Sequence, residues 1–415
     1  MPSPTLYEAA LAFRKTKLWD NLQEDQMFAV ALSNGDIGYC CVIGSAGEHL
    51  ALALYPNDQS VQSLYRLFQP PVLPCPSILH QQEALFYQNC IQCSFESMGD
   101  LSTEEAAALR AYTKANHIAL RGKNACPQFT KFVTAHPFFP VDDPQDEALL
   151  TEALQAGLAV AQRVREEGRC WLDIVQPGEA GQVIPLLTPT VKGFQWSFHT
   201  MPPMQPVEHP SPSLTDELLV KRLRQAKKSR AHWIFDVAIT LVETDYPDAS
   251  HAPYTYFPYL LLGVNRSTQE TAMIPEMTAG YGLEQAGRLL TALGRWMLER
   301  GVPAQITVCD DRTYALLRGL ADQLGIRLHP ADKAGAAEID LLRDAEDALA
   351  ERVNETDGME DDLDAELDML VDFLRTADDN QLRTMPDTLW DYLVALAQSG
   401  LPTPELAQRI LRLRR

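Results

Sequence analysis

No stretch of the 415-residue chain has the length and apolarity of a membrane span. The densest apolar run, Pro258 to Val264, falls far short of the about 20 residues that a spanning helix needs. A charged leader followed by an unbroken apolar stretch and a cleavage site is also lacking. The opening MPSPTLYEAALAFRKTKLW instead spaces its apolar residues as an amphipathic helix, so a soluble, cytoplasmic protein is expected. The nine histidines form no HExxH or HxH pair, no serine sits in GxSxG, and Gly35-Asp36-Ile37-Gly38 lies between strand-like runs rather than at a helix start. Those absences remove the zinc-protease, nucleophile-elbow and nucleotide-loop signatures. Basic charge is in deficit, with 35 Lys+Arg against 56 Asp+Glu and a formal net charge of -21. A binder that works by neutralising phosphates is therefore disfavoured, and the expected partner is a protein, not nucleic acid or membrane.

Eight cysteines are present, at 40, 41, 75, 90, 93, 126, 170 and 309. Cys90-Ile91-Gln92-Cys93 is the single CxxC, and with Cys75 or the Cys40-Cys41 pair it is a candidate zinc site. In a strand, however, residues three apart point to opposite faces, and no glycine follows to form a chelating knuckle. Buried, reduced thiols are the expectation.

What the sequence does carry is an α+β multidomain organisation. From Met27 to Tyr55, short apolar runs alternate with Asn34-Gly35-Asp36 and Ser45-Ala46-Gly47, which predicts a three-stranded antiparallel meander. Ser102-Thr103-Glu104-Glu105 has the capping-box pattern of a helix start, and a longer helix is predicted over about Asp146 to Glu167. These elements place an N-terminal α+β domain at residues 1–200. Residues 201–213 hold five prolines within twelve positions and read as a connector. Beyond it, WIFDVAITLV, YFPYLLLGVN and ETAMIPEM read as sequential strands. A helix ending at Arg300-Gly301, the strand QITVCD, a second helix ending at Gly325 and IRLHP follow, so residues 214–350 are expected to form an α/β domain.

Residues 351–415 are expected to be an acidic helical C-terminal region. Eleven acids and one base lie between Glu355 and Asp379, yet Leu363, Leu367, Leu370, Val371 and Leu374 keep helical spacing. Six cations fall between Lys221 and Arg230 with no acid among them. No aromatic interleaving or phosphate loop accompanies them, so the helix 219–230 is read as a solvated face, with an intramolecular contact to the acidic segment 355–379 as its candidate partner.

Asp236 lies within WIFDVAIT, and Asp310 and Asp311 end QITVCDD. Three strands, helix, strand, helix, with carboxylates on the first and fourth strands, resembles the ribonuclease H-like fold of integrases and transposases. That resemblance implies a two-metal phosphodiester site with Asp236, Asp310 and Asp311 as candidate metal ligands. PYLLLGVNRSTQETAMIPEM also resembles the start of an integrase core, but the family's metal-binding aspartate would fall at Asn265, and an amide brings no charge to a cation. The third carboxylate is unassigned, with Glu338 and Glu346 the candidates. The bland alternative is a solvent-facing Asp236 and an aspartate capping the next helix.

LWDNLQEDQMFAVALSNGDIGYCCVIGSAGEHLALALY, QNCIQCSFESMGDL and IALRGKNACPQF resemble a bacterial family of unknown function built around a GYC(C)VMG-like strand and a closing RG-x-x-x-x-P-x-F stretch. YTYFPYLLLGVN and GVPAQITVCDDRTYALLRGLADQLGIRLH are similar to a companion family that follows the first in tandem. The resemblance covers about four fifths of the chain and implies no activity, so no functional residue transfers with it. The expectation is a non-catalytic binding or accessory protein without a cofactor. The alternative is a nuclease or phosphodiesterase using Mg2+ or Mn2+ on a degenerate ribonuclease H-like core.

Overall fold

The computed structural model describes residues 2–47, 49–67, 86–168, 171–172, 175, 181–240, 242–246, 255–330, 335, 337 and 339–348. Contacts divide the chain into Met1–Asp347 and Ala348–Arg415. The acidic segment 355–379, the two C-terminal helices expected after it, Glu338, Cys75 and Cys170 all lie outside the described residues.

The first sheet has eight strands: β1 (Phe28–Ala31), β2 (Ile37–Ile43), β3 (Ala51–Tyr55), β4 (Cys90–Glu96), β5 (Cys126–Phe132), β6 (Phe139–Pro140), β7 (Val183–Thr190) and β8 (Gly193–Thr200). Their order is β6-β5-β4-β3-β2-β1-β7-β8, antiparallel throughout except for the parallel pair β1 and β7. The predicted meander is β1 to β3. Its first turn needs a positive φ, which Gly35 supplies at 94°, while the Asn34 side chain accepts a hydrogen bond from the Asp36 amide.

Helices α1 (Pro4–Thr16), α2 (Val61–Leu67), α3 (Thr103–Ala115) and α4 (Pro144–Glu167) accompany this sheet. The capping box at Ser102 and Glu105 forms as the sequence predicts. α4 begins two residues earlier than its apolar spacing suggests, because Asp143 caps it and Pro144 occupies the first turn, where no amide donor is lost. α1 and α4 pack Phe13, Leu150 and Leu154 against Val30, Cys40 and Leu52. A smaller cluster, with Tyr39, Cys41, Ala53, Tyr55 and Leu64, uses the alternate strand residues and so covers the other face. Both faces being covered, β3 is buried at every position rather than alternating.

The second sheet has the order β13-β12-β9-β14-β15, with β9 (Lys228–Ile239), β12 (Tyr259–Asn265), β13 (Thr271–Met273), β14 (Val302–Val308) and β15 (Arg327–His329). β12 runs antiparallel to both of its neighbours, β9 and β13; β14 runs parallel to both β9 and β15. A separate two-stranded ribbon joins β10 (Thr244–Asp245) to β11 (Thr255–Tyr256). Helices α5 (Glu217–Gln225), α6 (Leu283–Arg300) and α7 (Asp311–Leu324) supply Leu223, Leu290, Leu293, Leu317 and Leu320 to a core with Trp233, Phe235, Val237, Ile306 and Val308. Gly263 is required where β12 passes Phe235, since a Cβ there would stand 2.4 Å from the ring.

The cationic stretch is shorter as a helix than its sequence suggests. α5 ends at Gln225, and Lys228 and Arg230 belong to β9. Two of the cations are already engaged: Arg224 Nε donates to the Gln323 carbonyl at 3.1 Å and Lys228 Nζ to the Leu324 carbonyl at 2.7 Å. Both sit on the last turn of α7, where the helix dipole favours positive charge.

Candidate functional site

Asp236 lies mid-strand in β9 and is fully buried, which corrects the expectation of a solvent-facing position. Burial of a carboxylate demands donors, and the Thr313 hydroxyl provides one at 3.1 Å from Asp236 Oδ1. The same hydroxyl accepts from the Val237 amide at 2.9 Å, so Thr313 ties the start of α7 to the middle of β9.

Asp310 follows β14, the parallel neighbour of β9. It is the N-cap of α7, its Oδ1 accepting from the Thr313 amide at 2.6 Å. The capping expectation is met and a second feature joins it, because Asp310 is electrostatically coupled to Asp236. Burial first, and then the negative charge of Asp236, push the Asp310 carboxyl up to about 6. The Arg312 guanidinium and the Thr313 hydrogen bonds pull in the opposite direction. Asp311, in contrast, is exposed on the first turn of α7 and does not join the cluster.

Arg312 was not singled out by the sequence, and it is central here. Its buried guanidinium lies 3.5 Å from Asp310 Oδ2, donates through Nη2 to the Val237 carbonyl, and donates through Nη1 to the Tyr87 hydroxyl at 2.9 Å. Tyr259 also donates to Tyr87, at 3.3 Å, and its ring lies 5.8 Å from the Arg312 carbon. The Tyr281 ring is 5.5 Å from that of Tyr259, and burial raises its phenol above the ordinary range. His209, from the proline-rich connector, is half-buried nearby; desolvation and then Arg312 lower its pKa. The one available signal was the sequence Asp310-Asp311-Arg312-Thr313, in which a cation follows directly on the acids.

Tyr87 reaches this cluster from the chain leading into β4. Phe86 beside it packs edge-on against Phe257, with ring centres 4.6 Å apart. Backbone bonds run from the Ala135 amide to Phe86 and from the Phe257 amide to Ala135. The carboxylate end of the second sheet is thus built with a residue from the first sheet's stretch of chain.

The other candidates fall elsewhere. Asn265 ends β12 at the pair with Trp233, away from Asp310, and its side chain accepts from the Ser267 and Thr268 amides to close the turn into β13. Glu346 is buried on the helical stretch 339–348. Cys90 and Cys93 enter different cores on opposite faces of β4, as do Cys40 and Cys41 on β2. Burial raises all four thiols, Cys90 to about 12. Among the described residues, no three His, Cys, Asp or Glu side chains are grouped to hold a metal ion. A groove of about 570 Å³ along α6, lined among others by Ser213, Glu276, Arg288 and Thr291, contains none of Asp236, Asp310 or Arg312.

The two sheets' stretches of chain are linked at this cluster by the hydrogen bond from Arg312 to Tyr87. The chain carries two families in tandem: residues 4–179 match a family model described as a domain of unknown function (DUF7309), and residues 219–339 match a second, also a domain of unknown function (DUF6930). No curated protein and no solved structure matches the chain. Among the described residues no helix is long and apolar enough to cross a membrane.

Proposed function

We propose that the chain is a non-catalytic binding or accessory protein of the cytoplasm, acting through protein contacts. In this reading the second domain is a ribonuclease H-like core in which a built-in cation has taken over the role of a bound one. The strand order, three antiparallel strands followed by two parallel to the first, supports the comparison. The observation that carries the reading is Arg312: its guanidinium pairs with Asp310 and is fixed by the Val237 carbonyl and the Tyr87 hydroxyl. A two-metal site needs carboxylates free to collect positive charge, and this pair already has an arginine and a threonine hydroxyl on it. The residues present therefore do not fit a pair of divalent ions, and no hydrolytic step is derived.

Thermal unfolding with and without Mg2+ or Mn2+ tests this, since a ligand of the folded state raises Tm. The expected result is no shift and no metal-dependent cleavage of single- or double-stranded DNA or RNA. Affinity purification from the native host should recover a specific protein, and recovery of none would count against the accessory role. One observation favours the second reading, a metal-dependent nuclease: Asp236 on β9 and Asp310, just past the end of the parallel neighbour β14, lie close enough for the charge of one to raise the carboxyl of the other. Cleavage that requires Mn2+ and disappears in Asp236→Asn would put that reading first.

A further inference from the structure

Positive charge in the first domain is gathered at one end. From Ala106 to Val141 the chain carries no acidic residue, and Arg110, Lys114, Arg121, Lys123 and Lys131 all fall there. Arg14, Lys15 and Lys17 close α1. The fold brings the two stretches together, since Arg14 Nε donates to the Asn124 carbonyl at 2.7 Å. Tyr7 of α1 also stacks on Tyr112 of α3, with ring centres 4.7 Å apart. Cys126, at the start of β5, feels both helices: burial raises its thiol, and the charges of Arg14 and Arg110 act against that.

These cations are not matched. Lys15, Lys17, Arg110, Lys114, Arg121 and Lys123 are exposed, and among the described residues none of the six side chains has an ion-pair or hydrogen-bond partner. Elsewhere cations do find acids, as Lys131 finds Asp146 and Arg300 finds Glu270. Arg165 donates to the Thr16 carbonyl and so sets the end of α4 against the end of α1, but the acids it brings are in use. Glu167 pairs with Arg163, and Glu166 accepts from Gln162. Asp20, in the turn after α1, is exposed and borders the patch. The helix dipole accounts for Arg14, Lys15 and Lys114, which lie in last turns. It does not account for Arg121 and Lys123, which stand on a non-helical stretch.

We propose that this cationic end of the first domain docks a short acidic segment of a partner protein, which rests on the protein-contact reading above and names the partner's chemistry. Charge selects the occupant in sign and in length. A nucleic acid that ran on past the patch would meet the excess acid of a chain whose net charge is -21. Among the described residues the patch also has no exposed aromatic side chain on which a base could stack. A short acidic segment ends within the patch and meets its cations alone, and the local field steers it in.

Fluorescence anisotropy with the full chain and a labelled peptide of about ten glutamates tests the proposal, at about 0.05 M salt, where screening is weak. Saturable binding is expected, lost as salt rises to about 0.5 M. Arg121→Glu combined with Lys123→Glu should weaken it about tenfold, and Lys15→Glu alone about threefold. Lys192→Glu reverses an exposed cation in the turn between β7 and β8 and should change it by less than about twofold. All four side chains are exposed, so Tm should stay at the wild-type value. Absence of binding overturns the proposal, and so does a loss in Lys192→Glu as large as in the double variant. Tighter binding of a single-stranded DNA of the same charge, through the same residues, overturns the acidic-protein occupant. A specific protein recovered from the host that binds the double variant as well as the wild type overturns the patch and leaves the accessory reading standing.

Discussion

The two sheets bury their unusual residues in opposite ways. Around the first, the odd groups are thiols: Cys40, Cys41, Cys90 and Cys93 sit in apolar cores, and burial, the largest cause for each, raises their pKa so that they stay neutral. A neutral thiol packs as a small apolar side chain and asks little of its neighbours. Around the second, the odd groups are Asp236, Asp310 and Arg312, which must be matched with donors and counter-charges. The first arrangement tolerates isolation, while the second forces residues from separate elements to converge. Convergence of that kind is why the candidate site lies in the second domain.

Removing the cation is the harshest way to break the contrast. Arg312→Ala takes from two coupled aspartates the guanidinium that offsets them, and loss of one partner from a buried ionic set costs about 3–5 kcal/mol. Urea denaturation should show a loss of that size; a loss under about 1 kcal/mol would mean that the cluster is solvated rather than matched.

Asp310→Asn sharpens the same point through pH. The folded-state pKa of Asp310 is raised from 3.8 to about 6, so the folded protein holds this proton more tightly than the unfolded chain. Stability from this group is greatest below the unfolded value and falls as pH rises to about 6; above that the penalty is fully present. Asparagine still caps the helix and has no such titration. The variant should therefore gain on wild type between pH 4 and pH 7, by up to about 3 kcal/mol, when both are unfolded in urea at each pH. A pH-independent difference would refute the shift.

The first sheet answers to packing instead. A Cβ at Gly157 in α4 would lie 2.7 Å from Phe13, so Gly157→Ala should overpack the α1–α4 contact by about 1–3 kcal/mol, with no pH dependence between 4 and 7. At the bottom of the scale stands Asp311→Ala. Its side chain is exposed, and a change within about 0.5 kcal/mol is expected, which would separate the two adjacent aspartates experimentally.

Local chemistry was legible in the sequence, and pairing across distance was not. Asn34-Gly35, the Ser102 and Glu105 box, and an aspartate capping the helix after QITVCD each depend on residues within a few positions of one another, and each forms. The opposed faces of the CxxC also follow from strand parity alone. β7 and β8 went unread because Pro185 and Pro189 argue against a strand. β1 pairs with β7 only at Leu186 and Leu187, which leaves the prolines outside that ladder. The burial of Asp236 depends on Thr313, 77 residues away, and the cluster's tyrosine on position 87, so no local pattern could announce either.

That tyrosine ties together the two family stretches of this chain. The bond from Arg312 to the Tyr87 hydroxyl crosses from the stretch matched by one family to the stretch matched by the other. A recombination event that shuffled either stretch into a new neighbourhood would carry off half of a hydrogen bond. Inheritance as a pair keeps the donor and its acceptor in one reading frame.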